Sequence, residues 1–267
     1  MSVQAPLAHR VEGAGTPVVL LNGGMMTFAS WEPVAARLRD RHALLRFDFR
    51  GQLLSPGVVP VGLAGHADDA RDLLDTVGWE SAHLVGASFG ALAALELACR
   101  SPRRVRSLTL VTAMDVATEG FRAQSAVLRG RLAEIAAGAD RGVFWDEMVA
   151  GVYSAEHRVR EATALAARRA QLDLLPAHWF DGVDRLLVAV DGFDFRARLA
   201  GLGLQALVVA AADARGMDLE RSRSLAAALA ADCLVHPTSG HALVAEDPAW
   251  LARVCGEFID SLESSRP

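Results

Sequence analysis

The chain of 267 residues contains no lysine, and all 27 of its basic residues are arginines. A Walker A loop needs a lysine at the phosphates, and imine chemistry needs a lysine amine, so both are excluded. A Ser-Lys dyad is excluded on the same ground. Catalysis would have to use serine, cysteine, histidine, a carboxylate, arginine or the one tyrosine, Tyr153.

Cysteine is also scarce. Cys99, Cys233 and Cys255 are odd in number and far apart, so they form no Cys-x-x-Cys pair for metal or redox work. No His-Glu-x-x-His spacing suggests a metal either. The sequence therefore predicts no metal site, and three unpaired cysteines fit a reducing compartment.

Long apolar runs and large charged patches are missing as well. No window approaches 18 consecutive apolar residues, and residues 1–10 lack the apolar stretch of a signal peptide. The net charge is −5, with both signs interspersed, so neither nucleic acid nor a membrane is expected as a partner. These features predict a cytoplasmic protein that acts on a small molecule; a homodimer stays open.

Hydrophobic patterning predicts an α/β fold. Short apolar runs alternate with helical patterns over the first 115 residues, as is typical of parallel βαβ units. The periodicity is then helical over four segments, near 121–136, 143–152, 156–172 and 178–190. The alternation of strand and helix patterns resumes with a strand at 205–211 and ends with a helix near 248–262. We therefore predict a mostly parallel sheet flanked by helices, with its core in residues 1–115 and 202–267 and a helical cap in residues 116–201.

The segment Gly86-Ala87-Ser88-Phe89-Gly90 fits the pattern G-x-S-x-G between a predicted strand and a predicted helix. In that context the serine stands at a strained turn as an exposed nucleophile, and the glycines avoid clashes where the chain doubles back. Ser88 as a plain helix N-cap is the alternative.

A serine nucleophile needs a base and a group that orients the base. His241 follows the last predicted strand, and Asp213 follows the strand at 205–211. The order Ser88, Asp213, His241 is the serine, acid, histidine order of α/β-hydrolases.

Other residues compete for these roles. Asp115 comes directly after the strand at 107–111 and is the next candidate acid; Asp218 is the third. His236 and His66 are alternative bases, but both are interpreted as structural.

The sequence resembles the α/β-hydrolase family, in particular its small capped, esterase-like members. The resemblance rests on Asn22-Gly23-Gly24, Asp48-Phe49-Arg50-Gly51, His66-Ala67-Asp68-Asp69, Gly86 to Gly90 and Gly240-His241. It implies a Ser-His-Asp hydrolase without a cofactor and with a lid formed by the insertion. It also implies an oxyanion hole built from backbone N–H groups, here those of Gly24 and Phe89.

The sequence departs from the family pattern in the core loops. Asn22 stands where members usually carry histidine, and we interpret it as a turn residue. Leu53 replaces a glycine, and Gln52 and Leu53 are interpreted as packing of the core loop, with a place on the pocket wall as the alternative. The aromatic and histidine side chains of the insertion either line a pocket or form the cap's own core; they are Phe144, Trp145, Tyr153, His178 and Trp179.

Together these features predict a serine hydrolase that cleaves a small carboxylic ester, lactone or thioester. Serine at position 88 argues against the haloalkane dehalogenases and epoxide hydrolases of this fold, because a resemblance to them would require aspartate at this position. Carbon–carbon hydrolases of this family commonly carry tryptophan after the catalytic histidine, whereas Ala242 follows His241 here. We therefore favour them less than hydrolases of esters, lactones and thioesters. The alternatives are a cofactor-free lyase, cyclase or perhydrolase, and a weakly catalytic ligand-binding member.

Overall fold

The computed structural model describes residues 6–214 and 219–265. Within them, seven strands form one sheet in the order β1-β3-β2-β4-β5-β6-β7. The strands are β1 (His9–Glu12), β2 (Thr16–Leu21), β3 (His42–Phe47), β4 (Ala82–Ala87), β5 (Val105–Val111), β6 (Gln205–Ala211) and β7 (Asp232–His236). β1 is antiparallel to β3, and the other neighbouring pairs are parallel. The predicted mostly parallel sheet is confirmed.

Helices cover both faces of the sheet and fill the segment between β5 and β6. In chain order the α-helices of the described residues are α1 (Glu32–Leu38), α2 (Leu63–Thr76), α3 (Phe89–Arg100), α4 (Glu119–Ala136), α5 (Arg141–Val152), α6 (Ala155–Arg160), α7 (Ala162–Arg169), α8 (Ala177–Ala189), α9 (Arg196–Leu199), α10 (Leu219–Ala228), α11 (Leu243–Glu246) and α12 (Pro248–Ser264). None of these helices is long and apolar enough to cross a membrane.

Strand β2 shows why the core strands read as unbroken apolar runs. Val19 and Leu21 face the core that contains α2 and α3, while Val18 and Leu20 face the core that contains α1 and α12. Successive side chains of a strand point to opposite faces, so a strand covered on both sides must be apolar throughout.

The segment 116–201, which we call the cap, has a hydrophobic cluster of its own. Phe144 and Trp179 lie in that cluster with Leu132, Phe180 and Val183. The sequence predicted one helix near 156–172, but the structure breaks it into α6 and α7 at Glu161, which is the C-cap of one helix and the N-cap of the next.

The parallel strands bring the candidate residues to one edge of the sheet. The carboxyl ends of β2, β4, β5, β6 and β7 lie at the same edge, and ligands of open α/β sheets bind there. The loops that leave this edge carry Gly24, Ser88, Asp115, Asp213 and His241.

Helix α3 passes so close to the end of β2 that only glycine fits at position 90. A Cβ placed on Gly90 would lie 2.3 Å from the carbonyl oxygen of Leu21 and 2.6 Å from that of Asn22. Because both obstacles are backbone atoms, the contact cannot be relieved by turning a side chain.

We therefore expect Gly90→Ala to lower the free energy of unfolding by about 1–3 kcal/mol or more, as overpacking does. Gly130→Ala is the matched control: Gly130 lies in α4, and a Cβ there would meet nothing within 4 Å. This change should stabilise the protein by about 0.5–1 kcal/mol, because alanine favours a helix interior. Urea unfolding curves of both variants would measure the difference, and equal midpoints would contradict the packing argument.

Candidate active site

Ser88 stands at the sharp turn between β4 and α3. Its backbone has φ 50° and ψ −114°, a conformation that L residues rarely adopt and that costs on the order of 1–3 kcal/mol. The surroundings enforce it: the amide of Ser88 donates to the carbonyl of Val111 at 2.9 Å, and a Cβ on Gly86 would lie 2.5 Å from the carbonyl oxygen of Gly90. The strand, turn and helix that the G-x-S-x-G pattern predicts are therefore present.

His241 and Ser88 meet although 153 residues separate them. The ring Nε2 of His241 lies 2.9 Å from Ser88 Oγ, within hydrogen-bond distance. Nδ1 of the same ring is buried, and no hydrogen-bond partner for it is found among residues 6–214 and 219–265. Burial without a compensating charge lowers the pKa of His241 to about 4, so the ring is neutral at pH 7 and can accept a proton.

The candidate acids differ in their surroundings. Asp213 is exposed; its amide donates to the carbonyl of Ser239 at 3.0 Å, so its loop borders the loop of His241. The Asp213 carboxylate itself is not among the hydrogen-bond partners of the His241 ring. Asp115 is buried, and its Oδ1 lies 3.7 Å from Nη1 of Arg221. Asp218 lies outside the described residues.

Gly24 and Phe89 lie close together beside Ser88. A Cβ on Gly24 would lie 3.9 Å from the Cβ of Phe89, and both residues line the same cavity as Ser88. Phe89 is the first residue of α3, and the first amides of a helix have no acceptor within the helix. Two backbone amides at this place could stabilise an oxyanion.

A buried polar network supports the loop that carries Gly24. Nδ2 of Asn22 lies 2.9 Å from the carbonyl of Phe47 and 2.9 Å from Oε1 of Gln52. Nε2 of Gln52 donates in turn to the carbonyl of Gly23 at 2.7 Å. Both side chains are almost fully buried, so Asn22 is more than a turn residue and Gln52 lies beneath the loop instead of on the pocket wall.

Asp48 completes the network. Its carboxylate accepts hydrogen bonds from the amide of Phe28 at 2.6 Å and from the amide of Leu54 at 2.9 Å. It therefore joins the segment that follows β2 to the segment that follows β3. Burial raises the pKa of Asp48, and these amides act against that rise. Sequence reasoning missed this support, because no local pattern links residues 22, 48 and 52.

The other candidate bases serve the fold. His236 Nδ1 accepts the amide of Ser239 at 3.0 Å, which shapes the loop before His241. His66 is buried edge-on against Phe49 and Phe89, with ring centroids 5.6 and 5.0 Å apart. Among the described residues, Ser88 Oγ has its hydrogen-bond contact with the His241 ring and not with His236 or His66.

A cavity of about 1150 Å³ lies above the serine and opens to solvent. Its wall is mostly apolar, with Trp145 and Tyr153 among the lining residues. Besides His241, the charged side chains found on this wall among the described residues are Glu147, which pairs with Arg131 at 2.9 Å, and Arg168. Both alternatives of the sequence analysis therefore occur, because Trp145 and Tyr153 line the cavity while Phe144 and Trp179 belong to the cap's own core. No cluster of metal-ligating side chains was found in the described part of the chain.

The family of the chain follows from comparison with known proteins. A model of the α/β hydrolase fold matches residues 16–248, which is most of the chain. The chain belongs to the α/β-hydrolase family.

Particular relatives are named hydrolases. A protein of Azorhizobium caulinodans, named as a candidate carbamate hydrolase (RutD), is 32% identical over 214 residues, 78% of this chain and 77% of its own. The 2-hydroxymuconate semialdehyde hydrolase of Pseudomonas sp. strain CF600 is 29% identical over 271 residues, 95% of this chain and 90% of its own. The crystal structure of MGS-M2, an α/β hydrolase from a Medee basin deep-sea metagenome library, matches with a TM-score of 0.88 at 20% identity, over 95% of this chain and 94% of the other.

We expect the His241 ring to remain neutral until the pH falls to about 4. Unfolded histidine titrates near 6.5, so the contribution of this residue to stability is fully present above pH 6.5 and is lost as the pH falls from there through 4. NMR titration of histidine-labelled protein would measure the pKa, with His241→Asn assigning the signal. A carboxylate resting against Nδ1 would favour the imidazolium, so a midpoint above the usual value would contradict the arrangement described.

Proposed function

We propose that this protein is a serine hydrolase that cleaves an ester-type bond of a small molecule through an acyl-enzyme on Ser88. The observation that carries the proposal is the 2.9 Å contact between Ser88 Oγ and His241 Nε2. A nucleophile and a base within hydrogen-bond reach, on a strained turn at the bottom of a cavity, form the arrangement that acyl transfer requires.

The chemistry follows from the positions of these groups. Ser88 Oγ attacks the substrate carbonyl carbon while His241 Nε2 takes the hydroxyl proton. The carbonyl oxygen becomes an oxyanion, which the amides of Gly24 and Phe89 stabilise; one such donor is worth on the order of 10²–10³ in rate. His241 then gives its proton to the leaving group. Water, activated by the same ring, hydrolyses the acyl-enzyme and restores Ser88.

Asp213 is our proposed third member of the triad. Its loop borders the loop of His241 through the bond to Ser239, whereas Asp115 faces Arg221. In the resting protein the Asp213 carboxylate is exposed and the ring is neutral. Once the ring takes the proton of Ser88 it is a partly buried cation, and the proposal is that the Asp213 side chain turns inward to stabilise it.

The cavity supports a substrate of moderate size. Its volume of about 1150 Å³ and its opening to solvent suit turnover of a small molecule better than retention of a ligand in a closed pocket. Carbamates, esters, lactones and thioesters all offer the carbonyl that Ser88 would attack, and the relatives' names include a carbamate and a semialdehyde hydrolase. Within this group we favour esters, lactones and thioesters.

Ser88→Ala should lower the hydrolysis of a 4-nitrophenyl ester by at least about 10³-fold, because loss of a serine nucleophile leaves only the binding and oxyanion contributions. Labelling by a fluorophosphonate should disappear in the same variant. Ser125→Ala is the matched control, because Ser125 also lines the cavity. Activity retained in folded Ser88→Ala would refute the proposal.

A pair of variants tests which carboxylate is the third member of the triad. Asp213→Asn should lower kcat by at least about a hundredfold and leave the resting pKa of His241 unchanged, because the carboxylate acts on the imidazolium. Asp115→Asn should leave kcat within about threefold of the wild type and reduce stability instead, because it removes a buried charge that faces Arg221. The reverse outcome would move the acid role to Asp115.

A further inference from the structure

The backbone on both sides of His241 is held by hydrogen bonds. On one side the amide of Ala242 donates to the carbonyl of Val152 at 2.9 Å, at the end of α5. On the other side the amide of Gly240 donates to Oε1 of Glu246 at 3.1 Å. The base therefore sits between two backbone anchors, and one of them is a carbonyl of the cap itself.

Glu246 joins the second anchor to the cap as well. Its Oε1 also accepts the amide of Ser154 at 2.9 Å, and its Oε2 accepts the Ser154 hydroxyl at 2.6 Å. The same hydroxyl accepts the amide of His157 at 3.1 Å and so caps α6. A single carboxylate thus binds the residue before His241 and the N-cap residue of a cap helix at the same time.

The fit at this junction leaves no free space. A Cβ on Gly240 would lie 2.5 Å from the amide nitrogen of Ser154 and 2.8 Å from the carbonyl oxygen of Val152. The backbone before His241 therefore lies directly against the cap.

These anchors matter because the ring has little else to orient it. Nδ1 has no hydrogen-bond partner among the residues that the structure describes, so the resting ring is fixed by its backbone and by Ser88. A displacement of about 1 Å between reacting groups can cost on the order of a hundredfold in rate. The groups that fix residues 240 and 242 therefore control the approach of Nε2 to Ser88.

We propose that Glu246 is a positioning residue that couples the seating of the cap to the placement of the base, by binding the amide of Gly240 and the cap residue Ser154 with one carboxylate. The inference rests on the proposed hydrolase function. It adds that the cap does more than cover the cavity, since a displaced cap also displaces His241.

The test measures the second-order rate constant with which a fluorophosphonate modifies Ser88, together with kcat and KM for a neutral 4-nitrophenyl ester. Glu246→Ala should lower the rate constant and kcat by about tenfold to a hundredfold with KM changed by less than about threefold, because the base is misplaced while the cavity wall remains. Glu246→Gln keeps an oxygen for the amide of Gly240 and should retain more activity than Glu246→Ala. Glu257→Gln, in an exposed pair with Arg253 on α12, is the matched control and should behave as wild type.

Ser154→Ala tests the cap side of the same bond. It should also slow phosphonylation, and Ser154→Ala combined with Glu246→Ala should lose little beyond Glu246→Ala alone, because both changes break one network. Additive losses would overturn the coupling. If Glu246→Ala does not fold, Glu246→Gln and Ser154→Ala decide the matter, and rate constants within about twofold of wild type in both would overturn the proposal.

The outcomes also separate this inference from the function on which it rests. A wild-type protein that the fluorophosphonate does not label would refute the proposed hydrolase mechanism. A wild-type protein that is labelled, with a folded Glu246→Ala labelled equally fast, would overturn only the role of Glu246. A loss found entirely in KM would also overturn it, since it would assign Glu246 to substrate binding.

Discussion

The site depends on one steric constraint: the chain must turn from β4 into α3 at a single residue while α3 touches the end of β2. Gly86 and Gly90 allow this, since a Cβ on either would meet backbone atoms at 2.5 Å or less. The turn holds Ser88 in its strained conformation and brings the start of α3 against the loop that follows β2. The candidate nucleophile and the candidate oxyanion amides are therefore placed by the same packing contact.

The parts of this arrangement that depend on local pattern could be predicted from the sequence. The glycines around Ser88 predict the turn, and the order of strands predicts that His241 reaches the same edge of the sheet. The four-residue β1 could not be found, because its residues are mostly exposed and too few to show alternation. The orientation of the Asp213 side chain could not be predicted either, because chain order places a residue in a loop but does not set its rotamer.

The hydrogen bonds that support the site could not be predicted from the sequence for a different reason. Asn22 meets Gln52 across 30 residues, and Ser154 meets Glu246 across 92. A hydrogen bond between distant polar residues leaves no periodic signal in a single sequence, and each residue taken alone reads as an ordinary turn or helix residue. The structure shows that such residues bind the two loops that carry the candidate oxyanion amides and the candidate base.

The bonds around His241 bear on how this enzyme could be redesigned. Grafting the cap of another α/β-hydrolase is an obvious route to a new specificity, but here it would discard the carbonyl of Val152 and both donors of Ser154. Under the proposed coupling, the grafted protein would hold His241 less well against Ser88, whatever the shape of its new pocket. Changes confined to wall positions away from the α5–α6 junction, such as Trp145, would alter the pocket and keep these hydrogen bonds.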